Sequence, residues 1–120
     1  MLPAAHRLRS SADFSAVTRQ GRRARVGATV VYLLPGGNGP ARFGLIVSKA
    51  VGGSVVRHRV SRQLRAQLSL RLEEFPAGSR TVVRALPDCA RASSAELGHN
   101  LDRALAKLTK SAVPAGKTSS

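Results

Sequence analysis

The 120-residue sequence predicts a small single-domain α+β sandwich with its elements in the order αββαβα. Three observations carry that prediction. The length accommodates one hydrophobic core but not two. Short β-branched and aromatic runs alternate with stretches whose apolar residues recur at helical spacing. Clusters of proline and glycine, at Pro35–Pro40 and around Pro76 and Gly78, punctuate the alternation.

Each element has its own signal. Ser10-Ser11-Ala12-Asp13 supplies an N-cap for a short helix that carries Phe14 and Val17 and stops at Gly21. The cluster Arg19, Arg22, Arg23 and Arg25 follows. Ala28–Leu34 (ATVVYLL) reads as a strand, and Arg42–Ser48 (RFGLIVS) as a second, antiparallel to the first across the Pro35–Pro40 turn. A helix is expected from about Val55 to Leu72, then a strand over Arg80–Leu86 closed by Pro87. Ser93 and Ser94 with Glu96 form a capping pattern for a last helix through Leu108. The domain therefore spans 1–108, and 109–120, rich in Lys, Ser, Pro and Gly, reads as a disordered tail. The sheet is expected to carry its helices on one side. A β-α-β crossover spans the long helix, right-handed by default.

Charge narrows the partner. There are 20 Lys+Arg against 6 Asp+Glu, a formal net charge of +14. Arginine supplies most of it, and its planar fork pairs bidentately with phosphate and stacks on bases. Base composition of the genome accounts equally well for the Arg:Lys ratio, but not for the net charge. Cys89 is the one cysteine and excludes an intrachain disulfide, which fits a reducing cytoplasm. His6, His58 and His99 do not have zinc-site spacing. The longest apolar run, Ala28–Leu34, is far short of the roughly 20 residues of a membrane helix, and the N-terminus lacks a signal-peptide core.

The charge concentrates in Lys49–Arg65, KAVGGSVVRHRVSRQLR, with no acidic residue until Glu73. Val56, Val60, Leu64, Leu68 and Leu72 make an i, i+4 apolar stripe, with Arg59, Arg62 and Arg65 on the opposite arc. Arg57 lies angularly near the stripe, which places it in the first helical turn. A solvated helix face ordinarily mixes signs; this one does not. Gly52-Gly53-Ser54 either brings backbone N–H groups to an anion at the helix start, with Lys49 nearby, or is simply a tight turn. It is not a Walker loop, because the lysine precedes the glycines. Charge reversal at Arg59 or Arg62 is expected to weaken nucleic-acid binding and spare the fold.

FGLIVSKAVGGSVVRHRVSRQLR resembles the signature segment of the protein subunit of bacterial ribonuclease P: a strand ending in Ser-Lys, a glycine turn, and an Arg-Asn-Arg motif opening a basic helix. LPAAHRLRSSADFSAV, Val30-Val31-Tyr32, the RTVVRAL strand and the closing Leu-x-x-x-Leu helix extend the resemblance over about residues 2–108. The chain departs from the family pattern at Ala50, Gly53, His58 and Ser61, and Thr18 stands where a second aromatic is frequent. An imidazole at His58 does not reproduce the amide's donor and acceptor pair.

The resemblance implies a left-handed β-α-β crossover, like that in the second domain of a small-subunit ribosomal protein. It implies that the catalyst is RNA, with Mg2+ bound mainly by that RNA and none by the protein alone, and that the chain bears no catalytic residues. Lys49, Gly52, Arg57, His58, Arg59, Arg62 and Arg65 would dock on the catalytic RNA. Phe14 and Tyr32 match the aromatic positions of a cleft for the single-stranded 5′ leader of precursor tRNA, although both also suit a core. The protein would be a cytoplasmic monomer outside its complex, with no membrane partner. A ribosomal or ribosome-assembly protein is the alternative, and a DNA-binding module or a self-contained nuclease less so.

Overall fold

The computed structural model describes residues 4–112. Three α-helices, α1 (Ser11–Gln20), α2 (Ser54–Ser69) and α3 (Ser94–Ala112), surround four strands: β1 (Arg22–Val26), β2 (Thr29–Leu34), β3 (Arg42–Ile46) and β4 (Arg80–Ala85). Short 3-10 turns lie at Ala4–His6, Leu72–Glu74 and Pro87–Ala90. The α+β class and the order of the expected elements hold, with β1 added. Arg19 of the arginine cluster lies in α1, while that strand holds Arg22, Arg23 and Arg25. Its Ala24 and Val26 pack inward, and a two-residue hairpin at Gly27-Ala28 returns it to β2. Gly27 takes φ 55, as such a turn requires. An arginine-rich run lacks the composition of a strand, so pairing rather than propensity makes it one.

The strand order is β1-β2-β4-β3, which corrects the expected hairpin between β2 and β3. β4 inserts between them, antiparallel to β2 and parallel to β3. The proline-glycine segment after β2 is long enough to step over one strand, about 10 Å for two strand spacings. It is pinned on the way by Gly37 N–H donating to the Gly78 carbonyl at 3.1 Å. The parallel β3–β4 pair is joined through α2, the expected crossover.

The helices do not share one side. The main core lies between one sheet face (Val31, Leu33, Phe43, Val83) and α2 and α3, with Val60, Leu64, Leu68, Leu97, Leu101 and Leu108. A smaller cluster on the opposite face holds Leu8, Val17, Val30, Tyr32 and Val82, with Phe14 packed against it. α1 therefore covers the second face, because strand alternation gives β2 and β4 apolar residues on both sides. α2 ends at Ser69, earlier than expected, and Leu72 continues the apolar stripe from the following 3-10 turn. α3 continues past Leu108 to Ala112, so the first residues assigned to a tail are helical. Residues 113–120 lie outside the described ones.

Candidate nucleic-acid interface

The three helices begin differently. Ser10 caps α1, its Oγ accepting from Asp13 N–H at 3.0 Å. Ser93 and Glu96 cap α3 reciprocally: Ser93 Oγ accepts from Glu96 N–H at 3.1 Å, and Glu96 Oε1 accepts from Ser93 N–H at 2.8 Å. α2 has Gly53 at its N-cap, no side-chain cap and no acidic residue in its first turn. Its leading N–H groups and the positive end of its dipole are thus left for an external anion. The two glycines separate in role. A β-carbon at Gly52 would come within 2.9 Å of Val56 Cγ1, so tight packing demands glycine there. A β-carbon at Gly53 would meet nothing within 4 Å, which leaves the approach to the helix start open. Lys49 is exposed in the preceding turn.

The arc of α2 divides in two. His58 and Arg62 are exposed, and with Ser54 and Val55 they line a shallow depression of about 390 Å³. Val55 is 83% exposed, an apolar side chain offered beside two basic ones. Arg65 is half-buried further along the helix. Arg57 is half-buried too, and its Nε is enclosed without a hydrogen-bond partner, as its angular position near the apolar stripe leads one to expect. Arg59 departs from expectation. It lies off the stripe, but its Nη2 donates to the Ala90 carbonyl at 2.5 Å, tying α2 to the 3-10 turn before α3. The expectation that charge reversal at Arg59 spares the fold is corrected accordingly. Gln67, eight residues on, and Arg71, just past the helix end, make similar ties: Gln67 Nε2 donates to Ser94 Oγ at 2.8 Å, and Arg71 Nε to Asp102 Oδ1 at 2.5 Å.

On the α1 face, Tyr32 is 9% exposed and forms part of the floor of the small cluster. Phe14 is half-buried and its ring lies over Gly44, where any β-carbon would overlap it. Both readings of these aromatics meet here: Tyr32 packs as core, and Phe14 keeps an accessible part. Thr18, in the place of a second aromatic, donates its hydroxyl to the Phe14 carbonyl at 3.0 Å. The α1 face is bordered by arginines to which no role was assigned. Arg23 pairs in register with Tyr32, Arg25 with Val30, and Arg84 with both Val30 and Ile46. Strand alternation phased on Tyr32 is the signal that finds them.

Other polar groups have structural work. His6 Nδ1 is 2.7 Å from the Ala41 carbonyl, with the ring holding the N-terminal segment against the start of β3. Cys89 is fully buried, its Sγ 3.1 Å from the Ala28 carbonyl, and burial pushes its thiol up from the ordinary value, which keeps it protonated. No helix among the described residues is long and apolar enough to cross a membrane.

Residues 2–109 match the family model described as Ribonuclease P. The chain is 48% identical over 117 residues to the ribonuclease P protein component of Corynebacterium diphtheriae, covering 92% of this chain and 98% of the relative. It is 49% identical over 113 residues to that of Acidothermus cellulolyticus, covering 92% and 93%. The fold superposes on the ribonuclease P proteins of Staphylococcus aureus (TM-score 0.73, 23% identity, 87% of this chain and 97% of that one) and Thermotoga maritima (TM-score 0.73, 22% identity, 87% and 96%). At those identities the structures speak for the fold, while the family match and the curated relatives carry the assignment away from the ribosomal alternative. An uncapped basic helix start, an opposite face with an accessible aromatic, and these matches lead to one conclusion: this chain belongs to the ribonuclease P protein family.

Proposed function

We propose that this chain is the protein subunit of the ribonuclease P ribonucleoprotein. It docks on the catalytic RNA through the start and free arc of α2, and it holds the 5′ leader of precursor tRNA on the α1 face of the sheet. In doing so it assists endonucleolytic removal of the leader, which forms the mature tRNA 5′ end, in the cytoplasm. The observation that carries the docking half is the start of α2, uncapped and free of acids, with Lys49 and His58 beside it and Arg62 and Arg65 further along the helix. Phosphate oxygens satisfy the leading N–H groups, and the arginines supply charge-assisted hydrogen bonds. Phe14 offers a stacking surface for an unpaired leader base, worth about 1–3 kcal/mol.

The hydrolytic step itself would belong to the RNA, and Mg2+ held mainly by that RNA would supply the activation of the attacking water. Three of the protein's six carboxylates are engaged within the fold. Asp13 is held by Arg80 at 3.1 Å, Asp102 by Arg71, and Glu96 by the α3 cap.

The test is reconstitution at low, near-physiological magnesium with a bacterial catalytic RNA and a precursor tRNA. Leader release is expected only when RNA and protein are both present. Release by the protein alone, or failure of the folded protein with several catalytic RNAs, overturns the proposal. With about four to six phosphates neutralised, log affinity should fall against log salt with a slope of about −3 to −5, and a slope near zero removes electrostatic docking.

A further inference from the structure

A second basic cluster sits at the other end of β3 from the docking helix. The N-terminal segment runs beside β3: Arg7 forms a parallel bridge with Phe43, and Leu8 N–H donates to the Phe43 carbonyl at 2.9 Å. Leu8 is buried, and with His6 held at Ala41 this sets the flanking arginines on a fixed backbone. Arg7, Arg9, Ser10 and Arg42 line one depression of about 470 Å³, together with Ala5 and Asp13. A second, of about 190 Å³, shares Asp13 and Arg42 and adds Arg80. Arg9, Arg42 and Arg80 thus gather around one carboxylate, Asp13, which Arg80 takes at 3.1 Å. Arg42 is the direct register partner of Arg80 in the parallel ladder. Like charges so placed cost stability, and an anion between them removes the cost.

The cluster lies in line with the aromatic site. Arg42, Gly44 and Ile46 alternate onto one face of β3, and Phe14 covers Gly44. Arg42 is therefore about 7 Å from the point under Phe14, on the side away from Ile46 and the turn to α2. Resting on the leader reading above, we infer that Arg9 and Arg42, with Ser10, form a further phosphate site for the precursor tRNA leader, upstream of the nucleotides at Phe14. The catalytic RNA docks at the opposite end of β3, about 13 Å or more away, so one strand of RNA crossing the α1 face joins Phe14 to this cluster.

The experiment uses the reconstituted complex, wild type against the Arg9→Ala/Arg42→Ala double variant, with precursor tRNAs whose leaders are shortened one nucleotide at a time. Both residues are exposed, and unfolding curves establish that the variant folds. For wild type, affinity should rise as the leader lengthens past the nucleotides at Phe14. The variant should lose about tenfold with long leaders and nothing with short ones, and its salt slope with long leaders should shrink by about 1.4, for two single-strand phosphates. A variant that keeps the full long-leader gain overturns the inference and leaves the leader reading standing. Weaker binding of the variant to the catalytic RNA alone also overturns it, by assigning the cluster to docking. No leader dependence in wild type overturns the leader reading itself.

Discussion

The two flanks of α2 carry the same kinds of residue and use them for opposite purposes. On one flank Arg59 and Gln67, with Arg71 just past the helix end, bond to Ala90, Ser94 and Asp102, stitching the helix to the polypeptide around α3. On the other, His58 and Arg62 are exposed around a shallow depression and lie next to a helix start without a cap. The apolar seam of Val60, Leu64 and Leu68 runs between them, all three fully buried. An arginine's role on this helix is decided by which side of the seam it falls on. The residue type alone does not decide it.

The comparison breaks altogether if the seam is removed. Leu64→Ala should cost about 2–5 kcal/mol in denaturant unfolding, because a fully buried leucine leaves a cavity between helix and sheet. It should then weaken RNA binding only by lowering the folded fraction, with binding per folded molecule unchanged.

A charge reversal on each flank sharpens the contrast. Arg59→Glu should destabilise by about 1–3 kcal/mol, since it removes the donor to Ala90 and sets a carboxylate against that carbonyl. Arg62→Glu should leave stability within about 0.5 kcal/mol and reduce affinity for the catalytic RNA by tenfold or more at low salt. Equal unfolding curves for the two variants would erase the distinction between the flanks.

Gly53→Asp sets stability against binding at one position. A carboxylate at the N-cap should stabilise α2 by a few tenths of a kcal/mol, as the site has room for it, and should repel the phosphate that the helix start attracts. A rise in melting temperature together with weaker RNA binding is the expected pair of readouts. Unchanged binding would remove the helix start from the interface.

The smallest effect is expected at Asp102. Hydrogen bonds from Arg71 hold its carboxyl below the ordinary aspartate range, with burial opposing and the charges of Arg71 and His99 assisting. Because the folded value is depressed, the unfolded chain takes up the proton first as pH falls. The contribution is therefore complete above about pH 4 and lost as pH drops through the folded value. Asp102 is 49% exposed, so solvent screens the pair and the change is slight. Asp102→Asn should flatten the fall in melting temperature below about pH 4, and coincident profiles would show that the pair contributes nothing.

Much of this was legible in the residues. The caps of α1 and α3 are local hydrogen bonds between neighbours in sequence, so Ser10, Ser93 and Glu96 announce them. The seam of α2 follows from helical periodicity and appears as expected at Val60, Leu64 and Leu68. β1 was hidden, because Arg22, Arg23 and Arg25 have no strand composition and become a strand only when β2 pairs with them. The place of β4 between β2 and β3 was hidden as well, since a turn signal at Pro35–Pro40 reports that the chain reverses and not which strand it meets next. In the candidate site, the basic stretch and Phe14 were legible, whereas Arg59's tie to Ala90 joins residues 31 apart and leaves no local trace.

The sequence by itself determined the charge, the family motif, the helix caps and the apolar seam, because composition, hydrogen bonds between near neighbours and periodicity are properties of short stretches of chain. Only the tertiary structure decided which arginines are spent on the fold and which face outward, that α1 covers the second sheet face, and that Arg42 stands in line with Phe14. Those outcomes depend on strand pairing and helix docking between distant segments, and the free energy of such contacts exists only once the segments have met.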